Sequence, residues 1–139
     1  MWTQEKILKI AFLIGAVTDA GALLPMLIPP LAKLLWGFED VSVVSGAYKF
    51  AMGYGASLML GWTVLLIWAY QKPMERKAVA AFTVLVIYGL IITEIAAVAT
   101  GYLAAWRMIP TWFLQAILLM LFAGGFHYSK IRQWRKRMA

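Results

Sequence analysis

An aspartate stands inside the first long apolar run of this chain, and that fact limits what the chain can fold into. The run from Ile7 to Ile28 is long enough to cross a bilayer, which takes about 20 apolar residues, and Asp19 falls near its middle. A carboxylate at that depth costs roughly 2.5 to 3.5 kcal/mol on insertion scales. Other parts of the chain must offset that cost.

Three further apolar runs follow, so the expected fold class is an all-α integral membrane protein, a single four-transmembrane-helix bundle. The spans are read as 7–28, 48–70, 78–103 and 109–128, with a basic cytoplasmic tail over 129–139. Composition agrees: 63% of the 139 residues are hydrophobic and 14% charged, against roughly a quarter charged in soluble domains. The net charge of +7 is not a nucleic-acid signal, because five of the thirteen basic residues lie in Lys130 to Arg137, directly after the last apolar run. Such a tail sits against anionic head groups. No nucleic-acid partner is expected. Zero cysteines exclude disulfides, iron–sulfur clusters and thiolate metal sites. The first run carries Asp19 and Pro25 and has no small-x-small cleavage pattern, so it is read as a span and not as a cleaved signal peptide.

Basic residues set the expected orientation. Lys6 and Lys9 precede the first span, Lys72, Arg76 and Lys77 lie between the second and third, and the tail follows the fourth. The opposite side carries Lys33, Lys49 and Arg107 against Glu39 and Asp40. Both termini are therefore expected in the cytoplasm, in the plasma (inner) membrane of a prokaryote. Pro29-Pro30 ends the first helix at or before that point. Leu31 to Phe38 then reads as a short amphipathic outer segment lying on the membrane surface or capping the bundle, the alternative being an ordinary apolar loop. Trp62, Trp68, Tyr70, Trp106 and Trp112 read as anchors at head-group level.

The second span is rich in small residues. Gly53, Ser57 and Gly61 recur every four positions and share a helix face that permits close backbone approach. Packing within one subunit is the expected use of this face, and a homo-oligomer contact the alternative use.

Depth follows from the helix rise. Counted from the cytoplasmic boundary, Asp19 lies roughly 18 Å in and Glu94 roughly 24 Å in, while Gln115 lies roughly 9 Å below the outer boundary. Lys49 opens the second span at the outer edge, with Tyr54 a turn and a half deeper. The expected ligand or ion pocket is thus Asp19, Glu94, Lys49, Gln115 and Tyr54, gathered in the outer half of the membrane. Asp19, Lys49 and Glu94 share their helix faces with glycines and alanines, which places them toward protein or a cavity and away from lipid. Two carboxylates and one ammonium leave a surplus negative charge, so either one carboxyl is neutral or a cation is shared. The plainer alternative is that the three neutralise one another and staple the helices.

His127 is the only histidine, and a metal or haem site needs more ligands than its surroundings offer. No cofactor and no metal are expected, and no nucleophile elbow, phosphate-cradling glycine loop or zinc signature is present. Three readings of function remain open. The chain binds or transports a small amphipathic or cationic molecule; or it is an intramembrane enzyme using paired carboxyls as acid and base on a lipid-like substrate; or it is a non-catalytic assembly subunit.

Overall fold

The structure is a computed structural model that describes residues 3–37 and 46–138, with side chains described through residue 128. The described residues form five helices and no strand: α1 (Gln4–Leu27), α2 (Pro29–Trp36), α3 (Gly46–Gln71), α4 (Ala78–Ala99) and α5 (Ala105–Met138). Four of them, α1, α3, α4 and α5 as far as Tyr128, are long and apolar enough to cross a membrane. The chain is a multi-pass membrane protein by this measure.

Local chemistry explains the element ends. The Thr3 hydroxyl accepts from the Lys6 N–H at 3.3 Å and caps α1. Pro25 is carried inside α1, buried, and the helix closes two residues later. Pro29 then occupies the first position of α2, where its missing N–H is no loss. The segment after α1 is therefore a helix and not an irregular loop, and Gly37 ends it in the left-handed region at φ 75°. Phe38, Glu39 and Asp40 lie outside the described residues, so the far end of the expected amphipathic segment does too.

Two boundaries differ from the sequence reading. The third span was expected to reach Leu103 but ends at Ala99. Gly101 takes φ 78° there, while the Tyr102 and Gly101 N–H groups bond back to the Ala97 and Val98 carbonyls at 2.9 and 3.1 Å. This double bond is the Schellman closure of a helix. At the other end, α5 starts at Ala105, passes Pro110 and continues to Met138. The basic stretch 129–138 is thus helical and not a separate tail, consistent with its long-chain Lys, Arg, Gln and Met, which favour helix.

The spans are antiparallel in chain order. A Cβ on Gly15 would meet Leu66 of α3 at 3.2 Å and Phe122 of α5 at 2.9 Å, and one on Gly125 would meet Leu8 at 2.8 Å. α1 therefore runs against both α3 and α5. α1 packs most extensively on α3, then on α5, and α5 packs on α4; α3 and α4 touch little. The bundle is a ring of four helices with one slack side.

The core explains where the slack lies. Leu8, Ala11, Phe12 and Ala16 of α1 join Leu66 and Ala69 of α3, Val79, Ala80 and Ile87 of α4, and Leu118 and Phe122 of α5 in one buried cluster. All of these lie toward the end that carries the 72–77 turn. The Phe12 and Phe122 rings meet at a tilt of 58°, 5.7 Å between centroids. Arg76 fastens the turn by lying over the Trp68 ring, 3.7 Å from its centroid, and by donating to the Trp68 carbonyl. Toward the opposite end, where α2 sits, α3 and α4 present mostly exposed side chains, among them Tyr54 at 64%, Leu58 at 62% and Ile95 at 53%.

Among the described residues nothing packs closely on the small-residue face of α3. Gly53 and Gly61 have nothing within 4 Å of an added Cβ, and the Ser57 hydroxyl is turned back onto the Gly53 carbonyl at 2.9 Å. The expected packing of this face within one subunit is not seen among the described residues, where α1 meets α3 on a different face, through Leu66 and Gly55.

Candidate functional site

Helix register places the polar groups in layers. Gly15 faces Leu66, so Asp19, one turn further along α1, is level with Trp62, one turn before Leu66 on α3. Met26 beside Gly55 confirms the same register nearer the α2 end. Gly15 also faces Phe122, so Asp19 is level with about Leu118 on α5, one turn from Gln115. Gln115 in turn meets Glu94: its amide Nε2 donates to Glu94 Oε1 at 2.9 Å, joining α5 to α4. Asp19, Trp62, Glu94 and Gln115 therefore occupy one layer, contributed by all four spans.

The chemistry of that layer is unbalanced. Gln115 is only 6% exposed, and its carbonyl Oε1 has no hydrogen-bond partner. Glu94 Oε2 is likewise buried without one. Trp112 sits three residues before Gln115, on the same face of α5, and approaches the Glu94 carboxylate without completing a hydrogen bond of ordinary geometry. Its indole N–H and that of Trp62 are both buried without a partner. A buried polar atom left unpaired costs about 1–3 kcal/mol, so a stable fold rarely retains several in one place without a use.

Asp19 is half-buried in the same layer, continuing the Gly15 and Ala16 face that looks into the bundle. Among the described residues neither Asp19 nor Glu94 is in an ion pair; the two pairs present, Lys9 with Glu5 and Lys72 with Glu75, are on exposed surface. No group of three or more metal-ligating side chains occurs among the described residues.

Lys49 and Tyr54 stand apart from this layer. Both are exposed, and they lie thirteen and eight residues along α3 from Trp62, roughly 20 Å and 12 Å nearer the α2 end. The staple reading needs Lys49 to neutralise the carboxylates, and the described structure forms no such bond. His127 is exposed and stands edge-on to Phe126, 4.9 Å between ring centroids. Thr93, which adjoins Glu94 in sequence, bonds back to the Gly89 carbonyl at 2.9 Å and contributes nothing to the layer.

Trp62 and Trp112 are the residues that the sequence reading assigned elsewhere. The sequence pattern points to head-group anchors at both positions, whereas their indole N–H groups are buried level with the carboxylates. Spacing held the signal for one of them: Trp112 and Gln115 are three apart and so share a helix face. No family model, no curated protein and no solved structure matches the chain.

Proposed function

We propose that the protein binds a small amphipathic cation, for transport or sensing, in the layer formed by Asp19, Glu94 and Gln115. The observation that carries this reading is the pair of buried, unpartnered acceptor oxygens, Glu94 Oε2 and Gln115 Oε1, at the level of a second carboxylate, Asp19, that has no basic partner among the described residues. Acceptors and negative charge in a low-dielectric setting favour a positively charged donor. Lys49 and Tyr54 are then outer neighbours of the site and not its walls.

The basic residues at the turn end, Lys6, Lys9, Lys72, Arg76 and Lys77, support an orientation with both termini in the cytoplasm. On that orientation the layer lies just outside the bilayer midplane, in a plasma membrane.

Dodecylammonium binding to the purified protein in nanodiscs, followed by calorimetry, tests the reading. Wild type binds, and Glu94→Gln and Gln115→Leu each weaken binding by at least about ten-fold, the equivalent of about 1.4 kcal/mol. Lys49→Ala and Tyr54→Phe leave it unchanged. Equal binding by wild type and Glu94→Gln contradicts the proposal.

A further inference from the structure

The hydrogen bond that joins α4 to α5 uses only half of each group in it. Gln115 Nε2 donates to Glu94 Oε1 at 2.9 Å, so a carboxyl and a carboxamide lie side by side. The other oxygen of each, Glu94 Oε2 and Gln115 Oε1, is buried with no partner. Both are acceptors while Glu94 is ionised, and two acceptors cannot bond each other. One proton on Oε2 changes that, because a carboxylic acid also donates. The pair then has an N–H to the carboxyl oxygen and an O–H to the amide oxygen, and both orphaned atoms are satisfied. A proton adds no volume, so the close packing around Gln115, only 6% exposed, accommodates it.

No other group in the layer supplies what the proton supplies. From α5 comes the Trp112 indole, which approaches the carboxylate without completing a bond, and from α3 the Trp62 indole, also unpartnered. From α1 comes Asp19, whose negative charge repels a second carboxylate at the same level. Positive groups stand far off. Arg107 lies eight residues before Gln115, roughly 12 Å along α5, and His127 twelve beyond it, roughly 18 Å. Lys49 is exposed, roughly 20 Å along α3 from Trp62.

We infer that Glu94 and Gln115 share a proton when the layer is empty and that an ammonium displaces it one for one, a step that rests on the cation-binding reading above. In the exchange the Glu94 O–H bond breaks and the proton leaves to water. The ammonium N–H groups then bond Oε2 and the Gln115 oxygen in its place, with no electron transferred and no other bond changed. The layer carries the same charge before and after, so no extra charge is buried at low dielectric. Glu94→Gln is a fixed copy of the protonated state, since its amide donates to Gln115 Oε1 where the acid O–H did.

Infrared difference spectroscopy of the protein in nanodiscs tests the proton, and calorimetry tests the exchange. At neutral pH the wild type is expected to show a protonated-carboxyl C=O band, at the frequency of a hydrogen-bonded acid, that Glu94→Gln removes and that Asp19→Asn and Trp112→Phe retain. The band should move to higher frequency in Gln115→Leu; where that variant does not fold, the wild-type band decides by its own position. Added dodecylammonium should abolish the band. Its affinity should rise about ten-fold per pH unit, with about one proton released per ligand across buffers of different ionisation heat.

Absence of a band that Glu94→Gln removes overturns the shared proton and leaves the Trp112 indole as the donor to Oε2. A band at the frequency of a free acid, or one unmoved in folded Gln115→Leu, overturns Gln115 as the acceptor. Binding without proton release overturns the exchange. If the band is present and dodecylammonium does not bind, the cation reading fails and the exchange with it, while the shared proton stands.

Discussion

Single residues in this molecule divide sharply into those with neighbours and those without, and the glycines show it most plainly. A methyl added at Gly15 would lie 2.9 Å from the Phe122 ring and 3.2 Å from Leu66, and one at Gly125 would lie 2.8 Å from Leu8. Both substitutions to alanine crowd the buried cluster, and each is expected to destabilise the protein by about 1–3 kcal/mol in a denaturant titration of the detergent-solubilised chain. Gly61→Ala meets nothing within 4 Å. It should leave stability unchanged or raise it by up to about 1 kcal/mol, through the helix preference of alanine over glycine.

The carboxylate layer separates stability from binding in the same way. Glu94→Gln keeps an acceptor for the Gln115 amide, so it should fold with little change in midpoint while losing cation binding. Gln115→Leu removes the amide donor and leaves Glu94 with no hydrogen bond of ordinary geometry, so it should lose both.

Among the elements, α2 rests on α1 and on α5, and its last turn is tied to α5 through Arg107. Its last turn ends at Gly37, whose left-handed φ of 75° places the backbone against the Arg107 guanidinium; a Cβ there would approach that group to 2.7 Å. The cation also stands at the negative end of the α2 dipole. Arg107→Ala is expected to raise amide hydrogen exchange over residues 29–37 while leaving α1 and α3 protected, and exchange spread evenly over the whole chain would contradict this. Gly37→Ala combines a left-handed strain of about 1–2 kcal/mol with the clash and should have the same local effect.

The limits of α2 and of the spans were legible in the sequence to unequal degrees. Pro29-Pro30 announces a break by covalent geometry, and α1 stops at Leu27 as expected. The end of α4 was hidden, because Tyr102 and Leu103 prolong the apolar run while the stop is made by the backbone conformation of Gly101. Hydropathy does not register a left-handed residue. The helical continuation of α5 beyond Tyr128 was hidden for the opposite reason, since charge suggests a tail even where most residues favour helix.

At the scale of the whole molecule, counting helix rise placed Asp19, Glu94 and Gln115 at similar depth, and contacts around Gly15 and the Glu94–Gln115 hydrogen bond now set them in one layer with Trp62. The scarcity of contact between α3 and α4 was beyond the reach of counting, because it depends on how helices cross and not on what each contains. Nitroxide labels should register it directly. Labels at Leu58 and Ile95 are expected to lie further apart than labels at Ile67 and Phe82, which are also exposed but sit near the turn. Equal separations in a double electron–electron resonance measurement would mean that the two helices run parallel along their length.

The most direct test of the cation site is a density map of the protein in nanodiscs with dodecylammonium added. The expected result is an ammonium within hydrogen-bond distance of both Glu94 Oε2 and Gln115 Oε1. A map in which both oxygens are bonded to protein groups, such as the Trp62 or Trp112 indole N–H, and no ligand occupies the layer would contradict it.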